Sequence, residues 1–214
     1  MYTAIQLENL KVKPKINDIS LKVLSEYYEI FLHPFIYHYH IDGRKEIKLK
    51  FDLDKFCHLL GVESIVKNTI SKRDLHKYKG EEGWKNIQNL TIDIPHLKAI
   101  NKKHFKDVKA KYVYFYLIPK LIEKPKAVNY NVNNVDGKTS IECEILFYSD
   151  VKGDNAIIHL GIEKDNYGYY FPRTFFVEKV SKKDDDIYVK NQEVIHIKYK
   201  DKRKIKDNQM VRCE

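Results

Sequence analysis

In FDLDKFCHLLG, Phe51 to Gly61, one histidine stands among phenylalanines and leucines. Asp54 precedes His58 by four residues, a spacing that puts both side chains on one side of a helix. There the carboxylate can orient the imidazole, stabilise its charged form and favour a proton donor or a phosphate-binding cation. Phe56 points elsewhere and, with Leu53 and Leu60, can anchor the helix in a core. A packed helix histidine is the plainer reading, and the local sequence leaves both open.

A second stretch, YYFPRTFFVE, sets Arg173 and Thr174 between aromatic residues. The planar guanidinium fork can grip phosphate oxygens, and the hydroxyl adds one directed hydrogen bond. Successive strand side chains point to opposite faces, so both can touch one substrate only at a bulge, a strand end or a twisted rim. Pro172, lacking an N–H, confines the segment to a sheet edge or a strand start. A surface arginine beside a β-favouring threonine is the alternative. Gln192, in YVKNQEVIHI, can bind a phosphate oxygen or a base edge, or simply satisfy a turn. Lys198, Lys200 and Arg203, within KYKDKRKIKDNQ, form either a phosphate-facing edge or a solvated tail.

Were these groups to converge, they would suit metal-independent cleavage of RNA. A base deprotonates the ribose 2′-hydroxyl, the oxygen attacks phosphorus, and an acid protonates the departing 5′-oxygen. Arginine, lysine and hydroxyl donors stabilise the charge that grows on the phosphorane oxygens. His159 and His196 are reserves for the proton-transfer role, and His76 is a weaker one. His38 and His40 share a side of an early hairpin without a third ligand at a suitable spacing, so no metal site is expected. HExxH, GxxxxGKS, GxGxxG and GxSxG are all missing from the sequence, and no cofactor is called for. A DNA nuclease would want a compact carboxylate cluster for magnesium, and none is evident.

The elements that must position these residues follow from periodicity. Leu21, Leu24, Tyr28 and Leu32 predict a helix from about Ile19 to Phe31, ended by Pro34. Alternation in FIYHYHIDGRKEIKLKF, broken at Asp42-Gly43, predicts a hairpin. Asp52 can cap a short helix that Gly61 closes. Broken helical patterns run to Lys126, and within them KYVYFYLIP reads as either strand or helix. From Pro125 onward AVNYNV, SIECEILFYSD, NAIIHLGIEK, YGYYFPRTFFVEKV and EVIHIKYK read as short strands with polar connections. Such connections favour antiparallel pairing. The fold class is therefore α+β: a helical N-terminal part packed on a small four- or five-stranded antiparallel sheet, with an early hairpin. Residues 1–126 form the hairpin and mainly helical region and 127–214 the sheet region with a basic tail, in one integrated domain.

The 214 residues are 43% hydrophobic and carry a formal charge of +9, which favours a polyanion such as nucleic acid, although a lysine-rich genome yields basic proteins without such partners. Sixteen tyrosines and ten phenylalanines can stack on bases or fill sheet faces. Cys57, Cys143 and Cys213 suggest neither a disulfide framework nor a metal knuckle. Long apolar runs are missing, so no membrane is expected and a cytoplasmic location is the expectation.

The combination of KLKFDLDKFCHLLG, YYFPRTFFVE and YVKNQ resembles the PBECR4 group of the phage-associated barnase, EndoU, colicin E5/D and RelE-like nucleases, over about Leu21 to Lys200. The resemblance implies helices packed on a small antiparallel sheet, RNA as substrate, and a helix histidine facing polar groups of the sheet. Carried over, His58 is the histidine of the helix signature, Arg173 and Thr174 are the late arginine-hydroxyl pair, and Gln192 is the downstream polar member. After HLLG this chain has VES where the commoner form carries a histidine-lysine pair, which leaves one fewer cation near the helix end. The expected function is a metal-independent endoribonuclease leaving a 2′,3′-cyclic phosphate, with an antitoxin or immunity protein as a candidate partner. The alternative is a non-catalytic nucleic-acid-binding or phage-interaction protein.

Overall fold

A computed structural model describes residues 1–41, 46–181 and 186–205. Helix α1 (Ala4–Glu8) opens with a reciprocal cap between Thr3 and Gln6. In α2 (Leu21–Phe31) the Ser20 hydroxyl accepts from the Val23 N–H, which starts the helix two residues later than periodicity predicts. Its Leu21, Leu24, Tyr27 and Tyr28 are buried. Strands β1 (Phe35–Ile41) and β2 (Ile47–Lys50) form the expected hairpin, with Tyr37 opposite Leu49. The Asp42-Gly43 turn lies outside the described residues, as do Lys206 and Cys213.

A single 3₁₀ turn, Leu53–Lys55, leads into α3 (Phe56–Leu59), and α4 (Val62–Val66) follows at once. Gly61 between them has φ +69°, the left-handed conformation that ends the first helix. A Cβ there would lie 3.2 Å from Val108 Cγ1. Beyond come α5 (Gly80–Gln88), α6 (Ile94–Ile100) and α7 (Lys102–Tyr114), the last two capped by Asp93 and Asn101. KYVYFYLIP is helical: α7 runs through the 3₁₀ turn Phe115–Leu117 into α8 (Ile118–Glu123).

The remaining strands are β3 (Lys126–Asn129), β4 (Ile145–Asp150), β5 (Ala156–Lys164), β6 (Tyr170–Lys179), β7 (Glu193–Ile195) and β8 (Ile197–Lys204). They join the hairpin in one sheet ordered β7-β3-β4-β5-β6-β2-β1-β8. Among the described residues the sheet has eight strands, so the expectation of four or five is corrected. Five antiparallel strands do form one side, but a parallel bridge at Leu49–Tyr170 adds the hairpin, and β8 pairs with β1. EVIHIKYK, expected as one strand, splits at His196 into β7 and β8, which take opposite ends of the strand order.

That split curls the sheet. Two Cα–Cα steps can separate Ile195 from Ile197 by no more than about 7.6 Å, so the two ends must meet there. In a flat sheet β1 and β4 would be four spacings apart, about 19 Å. Instead the rings of Tyr39 and Phe147 pack edge to face at 5.4 Å, and the Tyr39 hydroxyl donates to the Ile122 carbonyl of α8 at 2.6 Å. The main core lies inside this curl and under the helices. A smaller apolar cluster of Val128, Tyr130, Val135, Leu146 and Val189 covers the other face, with Ile141, Cys143 and Phe176 against it.

Candidate active site

Helix α3 is only four residues long, and its neighbours hold it rather than its own hydrogen bonds. The Phe56 ring meets Trp84 at 5.1 Å, Tyr28 at 5.4 Å and Phe115 at 5.7 Å. Phe56, Cys57, Leu59 and Leu60 are fully buried, which leaves His58 as the residue that faces outward.

Opposite it, β6 carries a bulge. Gly161 pairs with Thr174 and Ile162 with Pro172, so Arg173 has no partner on β5. Pro172 is tolerated in an interior strand because it sits at this irregularity, as the third residue of the strand, and β2 reaches β6 only at Tyr170. Of the two expected places, a sheet edge or a strand start, Pro172 takes the second, close to the start of β6 and at a bulge. His58 Nε2 donates to the Arg173 carbonyl oxygen at 2.9 Å. A carbonyl only accepts, so this nitrogen carries the proton, and in the neutral ring Nδ1 keeps the lone pair.

His58, Arg173 and Thr174 line one cavity of about 470 Å³. The bulge is what lets two successive residues share it. Gly161 makes room alongside, since a Cβ there would come within 2.8 Å of both Thr174 Cγ2 and Cys143 Sγ. Arg173 Nε lies 3.3 Å from Glu163 Oε2, which steadies the guanidinium.

The cavity also contains residues that sequence reasoning missed: Glu63, Ser64 and Lys67 around α4, Lys111 of α7, and Glu142. Burial pushes the Lys111 ammonium down to about 8. Among the described residues no carboxylate pairs with it. A signal did exist, because Lys111 stands three residues after Val108 and four before Phe115, on the inward stripe of its helix. The His58 imidazole is pushed below its ordinary value, first by burial of the ring. The Arg173 carbonyl opposes this, the charges of Lys111 and Arg173 add to it, and Glu63 weakly resists.

Phe176 forms another wall of the cavity. Its ring stacks on His159 at 4.4 Å and meets the edge of Tyr188 at 4.8 Å. His159 itself is fully buried and bonded through Nε2 to Asp186 Oδ2 at 2.7 Å, so it stands behind the wall rather than in the cavity.

The structure does not bring the other sequence-predicted residues to this place. Asp54 belongs to the 3₁₀ turn before α3, not to the same helical turn as His58, and its Oδ2 accepts from Lys55 Nζ at 2.7 Å. Gln192 is buried against the segment after β3, where Oε1 accepts from Asn131 N at 2.9 Å and Nε2 donates to Asn131 O at 3.0 Å. Its amide is consumed by backbone. Lys198, Lys200 and Arg203 lie on β8, three strands from β6, about 14 Å in sheet spacing. There Lys200 lies 3.5 Å from Glu46 and Arg203 3.1 Å from Asp201. His196 is the link between β7 and β8. His38 bonds Glu46, and among the described residues no group of three histidine, cysteine or acidic side chains could hold a metal ion. No helix among them is long and apolar enough to cross a membrane.

Comparison with known proteins gives one family. The family model described as PBECR4, phage-Barnase-EndoU-ColicinE5/D-RelE like nuclease4, matches residues 21–213. Neither the curated proteins nor the solved structures yield a match to this chain.

Proposed function

The chain belongs to the PBECR4 family of phage-Barnase-EndoU-ColicinE5/D-RelE like nucleases, and from that premise we propose that the cleft between α3 and β6 cleaves RNA without a metal ion. The observation that carries this reading is the His58–Arg173 contact. With Nε2 engaged, the neutral ring keeps its lone pair on Nδ1, and His58 shares its cavity with Arg173 and Thr174.

In the reaction, Nδ1 of His58 removes the proton of a ribose 2′-hydroxyl. The oxygen attacks the adjacent phosphorus, and the bond to the 5′-oxygen breaks to leave a 2′,3′-cyclic phosphate. Arg173 binds a non-bridging oxygen through the edge of its fork that Glu163 leaves open, and Thr174 donates to another. Phe176 offers an aromatic surface to a base next to the scissile bond. DNA lacks the internal nucleophile. An antitoxin or immunity protein that covers this cleft would restrain the activity.

The test is incubation of the purified protein with structured and unstructured RNA in excess chelator, followed by identification of product ends. Cyclic phosphate that disappears with His58→Ala supports the reading. Binding without cleavage on every RNA favours a nucleic-acid-binding module instead.

A further inference from the structure

Transesterification at phosphorus needs two proton transfers, one from the nucleophile and one to the leaving oxygen. His58 supplies one at a time. Its Nε2 is committed to the Arg173 carbonyl, so a single lone pair serves the cavity, and a proton taken there from the 2′-hydroxyl cannot simultaneously be delivered across the phosphorus. The other histidines do not help. His159 is fully buried behind Phe176, and His196 links β7 to β8.

The titratable or charged groups that face the cavity besides His58 are Glu63 and Lys67 around α4, Lys111 from α7, Glu142 and Arg173. Arg173 does not give up protons. Lys67 is exposed, and so is Glu142. Lys111 differs from them, because it is half-buried on the helix stripe of the core-packed residues Val108 and Phe115, lines the cavity, and has no carboxylate partner among the described residues.

We propose that Lys111 is the general acid of this site, protonating the 5′-oxygen as it leaves while His58 takes the proton of the 2′-hydroxyl. The proposal rests on the ribonuclease reading above. One O–P bond forms and one breaks, one proton moves to His58 and one leaves Lys111, so the charge of the cavity is unchanged through the step. Mutual repulsion of the two cations favours a starting state in which one is neutral and one charged. At about 8 the Lys111 ammonium still holds its proton at neutral pH, and its lowered affinity for that proton makes the transfer easier than from an ordinary lysine.

The experiment compares RNA with a nucleoside 3′-(4-nitrophenyl phosphate), whose phenolate departs without a proton. Lys111→Met keeps the stem and removes the ammonium, and Lys111→Arg keeps the charge without an available proton. Both variants should cleave RNA about 10²- to 10⁴-fold more slowly and the nitrophenyl ester less than about tenfold more slowly. Urea midpoints at or above that of the parent would show that the fold is intact. Equal losses on the two substrates, or an unimpaired Lys111→Arg protein, would overturn the assignment and leave Lys111 as a phosphate clamp. If the parent protein yields no cyclic phosphate from RNA, the ribonuclease reading and this assignment fall together.

Discussion

His58 Nε2 donates to the Arg173 carbonyl across 2.9 Å, joining an outward-facing helix residue to the one residue of β6 that the β5 ladder leaves unpaired. The bond settles the tautomer of the ring, and it engages the main chain of the residue whose side chain serves the same cavity.

His58→Gln separates these jobs. The glutamine amide can still donate to the Arg173 carbonyl but offers no base of suitable strength. Cleavage should fall by about 10²- to 10⁴-fold, with stability changed by less than about 1 kcal/mol, since the bond is neutral and at the surface. Turnover measured together with thermal melting checks this.

The pH dependence of kcat/KM should be bell-shaped. Activity requires neutral His58, so it rises with pH through a value below the ordinary imidazole 6.5. It also requires protonated Lys111, so it falls through about 8. Lys111→Arg should remove the alkaline limb while lowering the plateau. A profile that is flat from pH 5 to 9 would count against both roles.

Gln192→Ala should reduce stability and leave turnover alone. Two hydrogen bonds to the Asn131 backbone are lost at a buried position, which costs on the order of 1–3 kcal/mol. Urea denaturation would show the loss. A drop in kcat with unchanged stability would instead return Gln192 to the site.

Leu90 follows α5 with φ +61°, and its side chain is 60% exposed. The Thr91 N–H donates to the Asn86 carbonyl at 2.8 Å, the closure that usually has glycine in Leu90's place. Leu90→Gly should therefore stabilise the protein by about 0.5–1 kcal/mol, the relief of left-handed strain exceeding the added freedom of the unfolded chain. Equilibrium unfolding gives the sign directly.

Much of the local structure was legible. Apolar spacing marked α2, and alternation marked the β1–β2 hairpin and the central strands. For Arg173 and Thr174, the demand for a bulge, an end or a rim followed from strand geometry alone, and a bulge is what β6 has. The Asp54–His58 pairing was misjudged because one 3₁₀ turn ahead of α3 breaks the four-residue helical phase. For Gln192 the sequence leaves a turn amide and a site amide alike, and only its bonds to the Asn131 backbone tell them apart.

The sequence by itself determined where α2, the β1–β2 hairpin and the central strands form, that His58 stands on a short helix otherwise made of core residues, and which nuclease family the chain resembles. These depend on neighbours within a few residues, and local sterics and periodicity encode them. Tertiary structure decided that β7 and β8 diverge at His196, that the eight-stranded sheet curls, that Lys111 lines the cavity, and that Gln192 and the β8 cations stay outside it. Those outcomes come from contacts between residues tens to more than a hundred positions apart, and each reflects many weak packing terms summed over the whole chain, which no short stretch contains.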